Sequence, residues 1–96
     1  MALTFLRTLR TQASERFLIQ EDGQEIAALE LHYVGERRVA GTLICFESSR
    51  LSDDRISSLL TTIDELLLPD VTLDSGEVTF TVVVGRTLGA FEAVKP

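Results

Sequence analysis

The sequence is poor in the residues that build covalent or metal-held frameworks. It contains one cysteine, Cys45, one histidine, His32, and no tryptophan. A single cysteine excludes an internal disulfide, and one cysteine with one histidine cannot supply the usual ligands of a zinc site. We therefore expect no metal and no cofactor, and a fold held together by noncovalent packing.

Long apolar runs and clusters of glycine or proline are also missing. No run approaches the roughly 18 apolar residues that a membrane-spanning helix requires, and only six glycines and two prolines occur in 96 residues. With 45% hydrophobic and 25% charged residues, the composition is typical of a globular protein. We expect one small cytoplasmic domain over residues 1–96, with no membrane association and a tail at 90–96 that either adds an edge strand or frays.

Positive charge is scarce as well. Nine lysines and arginines stand against fifteen acidic residues, which gives a net charge of −6. Such a chain is repelled by the phosphates of nucleic acids, so we expect no nucleic-acid partner.

The N-terminal segment is compatible with two structures. Three threonines and the alternation of Leu3 and Phe5 suit a strand. A helix over about 2–17 would instead place five apolar residues on one side, namely Leu3, Leu6, Leu9, Ala13 and Phe17. We favour the amphipathic helix, as an arm over residues 1–16, and keep the strand as the alternative.

Two turn signals predict a three-stranded antiparallel meander. Asp22-Gly23 lies between apolar stretches and is typical of a type I′ turn, whose two central residues need positive φ. Gly35-Glu36, with glycine first, is typical of a type II′ turn. Strands are then expected over about 16–21, 24–34 and 37–47.

A helix and a further strand follow. Ser52 is a favoured N-cap, Asp53 and Asp54 suit the first turn, and Pro69 ends the helix, which predicts a helix over about 52–68. The segment at about 77–85 alternates apolar residues with threonine and then becomes continuously apolar, which indicates a strand in the interior of a sheet. The predicted fold class is α+β, a two-layer sandwich with a β-β-β-α-β core.

Two-residue turns would fix the strand register and assign each side chain to a face of the sheet. In that register both faces are apolar, whereas one crossover helix covers one face. The N-terminal helix or a second copy of the chain would then cover the other face. The apolar residues predicted on this interaction face are Phe17, Ile19, Ile26, Ala28, Val34, Val39 and Leu43.

This pattern predicts a non-enzymatic interaction, accessory or regulatory module that binds another protein or a second copy of itself, with a dimer favoured. An alternative function is carried by Glu30, His32 and Arg37, which fall at one end of the same face. A carboxylate, an imidazole and a guanidinium could bind a small anion or transfer a proton. That alternative is a small-molecule binding domain or a small enzyme, although a surface ion pair beside an ordinary histidine explains the same residues.

Two further candidates have simpler explanations. Cys45 lies far from His32 in the predicted register and is expected to be a buried, unreactive thiol. Arg86 lies between Gly85 and Gly89 and could contact an anionic partner, but the segment lacks the lysine of a phosphate-binding loop. We interpret it as a turn.

Overall fold

The computed structural model describes residues 2–35, 38–67, 78–86 and 88–89. Its elements, in chain order, are β1 (Leu3–Arg10), β2 (Ser14–Glu21), β3 (Gln24–Tyr33), β4 (Val39–Phe46), a short 3₁₀ helix (Glu47–Ser49), α1 (Asp53–Leu67) and β5 (Val78–Gly85). The five strands form one sheet in the order β1-β2-β3-β4-β5. β1 to β4 are antiparallel, and β5 is parallel to β4. The α+β class is confirmed, with one strand more than expected.

The additional strand is the N-terminal segment, so the predicted helical arm is wrong. β1 pairs with β2 from Leu3 opposite Glu21 to Arg10 opposite Glu15. The apolar residues at helical spacing do not pack together, because Leu6 is 43% and Leu9 41% exposed. The alternating residues Leu3 and Phe5 both pack against the core instead. Pairing with β2 provides hydrogen-bond partners for the backbone of β1, and threonine favours a strand.

α1 begins as predicted. The hydroxyl of Ser52 accepts a hydrogen bond from the backbone N–H of Arg55 at 3.2 Å, which is the geometry of an N-cap. Asp53 and Asp54 occupy the first turn, where the helix dipole favours negative charge. The predicted end of the helix, at Leu68 and Pro69, lies outside the described residues.

The hairpin formed by β2 and β3 has the predicted turn but not the predicted register. Asp22 and Gly23 have φ values of 51° and 85°, as a type I′ turn requires. Shortly after the turn the register shifts by one, because Ile26 is an extra residue between the pairs Ile19↔Ala27 and Gln20↔Glu25. This β-bulge moves every later pair of the hairpin.

The pairing register of the hairpin formed by β3 and β4 is also displaced by one residue from the prediction. Tyr33 pairs with Val39, whereas a two-residue turn at Gly35-Glu36 would pair Tyr33 with Arg38. The backbone N–H of Val34 donates to the carbonyl of Arg38 at 2.8 Å. Since side chains alternate between the faces, each slip of one residue reverses a whole strand relative to its neighbour. The predicted face assignment is therefore wrong for β2 and β4 relative to β3.

The correct register gathers the large apolar residues on one face, which we call the covered face because α1 packs on it. Leu59 and Ile63 of α1 belong to the same buried cluster as this face of the sheet. The strand residues of that cluster are Phe17, Ile19, Ile26, Ala27, Leu29, Leu31, Val39, Leu43, Cys45 and Val78. The opposite face, which we call the open face, has no described helix packed on it.

β5 lies at the edge of the described sheet, not in its interior as predicted. Its first residue, Val78, is buried, but Val82, Val83 and Val84 are 39%, 43% and 63% exposed. A continuous apolar run is typical of an interior strand, yet β5 pairs with β4 alone among the described strands. The possible edge strand within residues 90–96 lies outside the described part of the chain.

Candidate interaction surface

The structure separates the residues predicted to form one interaction face. Ala28 lies on the open face, and Val34 follows β3 and is 56% exposed. The other five are buried in the core under α1: Phe17, Ile19, Ile26, Val39 and Leu43. These five are at most 5% exposed, so they are not available for contact with another protein.

The open face instead carries a line of apolar side chains that crosses all five described strands of the sheet. One residue from each strand takes part, and each is the direct cross-strand partner of the next. We call this line the apolar row; its members are Leu6, Leu18, Ala28, Ile44 and Val83. With neighbouring strands about 4.8 Å apart, the row is about 19 Å long. Leu6 and Val83, at its two ends, are each 43% exposed.

A polar row runs beside the apolar row, two residues further along the strands. It consists of Arg16, Glu30, Thr42 and Thr81, again direct cross-strand partners. Nε and Nη2 of Arg16 each lie 2.9 Å from Oε1 of Glu30. The arginine side chain is 52% and the glutamate side chain 31% exposed. Arg16 is not among the residues predicted for this site, because the predicted register placed it on the opposite face from Glu30.

The predicted anion-binding residues are brought together in part. His32 Nε2 lies 3.8 Å from Oε2 of Glu30, and the histidine side chain is 50% exposed. Arg37 lies outside the described residues. Because Arg16 already pairs with Glu30, the positive charge available here for an anion is partly neutralised.

A second charged cluster lies at the end of the sheet where β1 leads into β2. Glu15 is the one buried charged residue among those described, at 7% exposure. Its carboxylate accepts a hydrogen bond from the hydroxyl of Tyr33. Oε1 lies 2.9 Å from Nη2 of Arg7, and Oε2 lies 3.3 Å from Nη1 of Arg10. Arg7 also lies over the ring of Phe17, 5.7 Å from its centroid. The cluster compensates a buried carboxylate and ties three strands together.

The environment of this cluster raises the pKa of Tyr33. Burial is the main cause, since it disfavours the phenolate, and the hydrogen bond to Glu15 and the negative charge of Glu15 act in the same direction. Arg10 opposes the rise. Tyr33 therefore serves as a hydrogen-bond donor at neutral pH.

Cys45 is buried, as predicted, with 2% exposure. Burial raises the pKa of its thiol, so the reactive thiolate is disfavoured. Cys45 pairs with Ala27, whereas His32 pairs with Ala40. Ala27 and His32 are five positions apart along β3, which corresponds to about 17 Å and excludes a cysteine-histidine dyad.

The described cavities are small or shallow. A cleft of about 120 Å³ lies between α1 and the strands β1 to β3, well below the roughly 300–1,000 Å³ of ligand pockets. A more open depression of about 300 Å³ contains Arg86 together with Glu25 and Glu47. Two carboxylates beside one guanidinium do not favour an anion. Arg86 thus lacks the electropositive surroundings of an anion site.

No group of three or more potential metal ligands occurs among the described residues. In the same part of the chain, no helix is long and apolar enough to cross a membrane.

Comparison with protein-family models, with curated proteins and with solved structures finds no match for this chain.

Proposed function

We propose that this chain is a non-enzymatic interaction module that self-associates through the open face of its sheet. The observation that carries the proposal is the apolar row, which extends without interruption from β1 to β5. Large contiguous apolar patches are uncommon on soluble monomers and usually mark contacts with another molecule. A second copy presents the same surface, so association through it buries most of the apolar row of each copy at once.

The composition of the open face supports a protein contact. Leu18, Ala28 and Ile44 form the half-buried centre of the apolar row, with Leu6 and Val83 exposed at its ends. The polar row supplies hydrogen-bonding and charged groups at its margin. An apolar centre with a polar margin is the usual arrangement of a protein interface.

The alternative function, binding of a small anion by Glu30, His32 and Arg37, remains a prediction with less support. The ion pair between Arg16 and Glu30 occupies the carboxylate. His32 lies on an open strand surface that offers no enclosing walls, whereas specific small-molecule sites are usually concave.

Sedimentation equilibrium tests the proposal. The wild-type protein should form a dimer across about 1 μM to 1 mM, the range of weak to moderate dimer dissociation constants. Leu18→Lys and Ile44→Lys each place a charge in the apolar row and should weaken the dimer at least about tenfold, because an unpaired charge in an interface is costly to desolvate.

Leu66→Lys is the matched control, because Leu66 is 62% exposed but lies on α1. It makes the same chemical change away from the open face and should leave the dimer intact. Circular dichroism of each variant verifies folding. A wild-type protein that stays monomeric near 1 mM, or folded open-face variants that dimerise normally, would overturn the proposal.

A further inference from the structure

We infer that two copies stack open face to open face about a twofold axis that runs parallel to the strands, midway between β2 and β3. This inference rests on the proposed self-association and specifies its arrangement. It follows from which residues of the open face are self-complementary, and it assigns Arg16 and Glu30 as the residues that determine the register of the two copies.

An axis parallel to the strands preserves position along the strands. Each transverse row of one copy then lies on the identical row of the other, so that apolar row meets apolar row and polar row meets polar row. A twofold contact requires this self-complementarity. The remaining freedom is where the axis passes across the sheet.

The sizes of the central side chains favour an axis beside β3, such as one between β2 and β3, over an axis on β3 itself. Leu18 on β2 and Ala28 on β3 are cross-strand partners in the apolar row. With the axis between them, the large Leu18 of each copy faces the small Ala28 of the other, and the side chains can interdigitate. An axis on β3 would place Ala28 on Ala28 and leave a gap at the centre.

The charges favour the same axis. Arg16 and Glu30 flank it in the polar row, so each arginine faces the glutamate of the other copy and the opposite charges attract. An axis on β3 would place Glu30 directly over Glu30. An axis perpendicular to the strands, along the apolar row, would place Arg16 over Gln20 and leave Glu30 without an opposite charge from the other copy.

This pairing survives the rotation of packed sheets. Facing sheets are usually rotated by about 30° relative to each other about the normal to the sheets, which displaces residues in proportion to their distance from the centre of that rotation. With the centre on the twofold axis and between the apolar and polar rows, Arg16, Leu18, Ala28 and Glu30 each lie about 4 Å from it, given the strand spacing and the rise per residue. Their pairing therefore changes least.

Mixing two charge-reversal variants tests the arrangement. Arg16→Glu alone places two carboxylates over each other across the interface, and Glu30→Arg alone places two guanidinium groups over each other. Each variant should dimerise at least about tenfold more weakly than wild type, because like charges oppose association. An equimolar mixture should form heterodimers with an affinity within about threefold of wild type, since opposite charges face each other again. Native mass spectrometry distinguishes heterodimers from homodimers.

The mixture isolates the contact between chains. Within each variant chain, positions 16 and 30 carry like charges both before and after mixing, so recovery cannot come from the ion pair inside one copy. Thr81→Glu is the control, because the inferred axis places β4 over β1 of the other copy and leaves β5 without a facing strand. Its dimer affinity should stay within about threefold of wild type, as at an interface margin.

The outcomes separate the two proposals. If the mixture does not recover while Leu18→Lys still weakens the dimer as expected, the arrangement is overturned and self-association through the open face stands. Weakening by Thr81→Glu as strong as that by Arg16→Glu would indicate an axis on β3 and also overturn the arrangement. A monomeric wild-type protein overturns both.

Discussion

The ring of Phe80 on β5 lies over Gly41, its partner on β4. A Cβ atom at Gly41 would come within 2.5 Å of Cε1 of that ring, so the absence of a side chain is what lets Phe80 pack against the sheet. Glycine at this position is required by close contact and not by backbone conformation.

Replacing Gly41 by alanine should destabilise the fold. The added methyl group forces the ring of Phe80 out of its position, and overpacking of this kind costs about 1–3 kcal/mol. Urea denaturation followed by circular dichroism measures the change in the free energy of unfolding. Gly85→Ala is the control, because nothing lies within 4 Å of a Cβ built there. It should change stability by less than about 0.5 kcal/mol, and an equal loss in both variants would contradict the packing argument.

Tyr33 should ionise at higher pH in the folded protein than in the unfolded chain. Burial, and after it Glu15, raises the pKa of this hydroxyl. Since Tyr33 is the only tyrosine and tryptophan is absent, absorbance at about 295 nm, where the phenolate absorbs, follows its ionisation directly. The native midpoint should lie above the ordinary value of about 10. A native midpoint at or below that of the urea-unfolded chain would contradict the prediction.

The same shift predicts an alkaline loss of stability. A group whose pKa is raised by folding contributes its full stabilisation below the unfolded pKa and loses it as the pH rises through the folded value. The difference in unfolding free energy between wild type and Tyr33→Phe should therefore be constant from neutral pH to about pH 10 and shrink above it. A difference that grows with pH would have the wrong sign.

Cys45 should resist thiol reagents in the native protein. Its side chain is buried, and its raised pKa disfavours the reactive thiolate. Modification then requires local opening and should be at least about a hundredfold slower than in urea, since buried strands open rarely. Labelling with a coloured disulfide reagent under both conditions gives the two rates. Equal rates would show that the thiol is accessible.

Removal of the α1 cap should destabilise the protein. In Ser52→Ala the N–H of Arg55 loses its hydroxyl acceptor, at a cost of about 0.5–2 kcal/mol. Ser57→Ala makes the same substitution at an exposed position inside α1, where alanine has the better helix propensity and should be neutral or slightly stabilising. Thermal unfolding of the two variants provides the comparison. A Ser52→Ala variant as stable as the wild-type protein would contradict the capping role of Ser52.

Features set by neighbouring residues could be predicted from the sequence. The turn at Asp22-Gly23, the N-cap at Ser52 and the strand Val78–Gly85 each follow from a few adjacent side chains. The N-terminal strand could not be decided in this way. Leu3 and Phe5 fit the alternation of a strand, whereas Leu3 and Leu6 fit the spacing of a helix. Pairing with β2 resolved this ambiguity.

The candidate surface depended on information that no local pattern contains. Glu30 and His32 were identified on one face because they are two residues apart on one strand. Arg16, the partner of Glu30, lies on another strand, so its placement required the register between β2 and β3. One extra residue at Ile26 changed that register.

The sequence by itself determined the elements from β2 onward, the net negative charge and the exclusion of an internal disulfide, because these follow from composition and short-range spacing. Only the tertiary structure decided which apolar residues form the core and which form the apolar row. The physical reason is the two-residue alternation of side chains in a strand: a displacement of one residue between β2 and β3, and another between β3 and β4, leaves every strand in place but reverses the faces of β2 and β4 relative to β3.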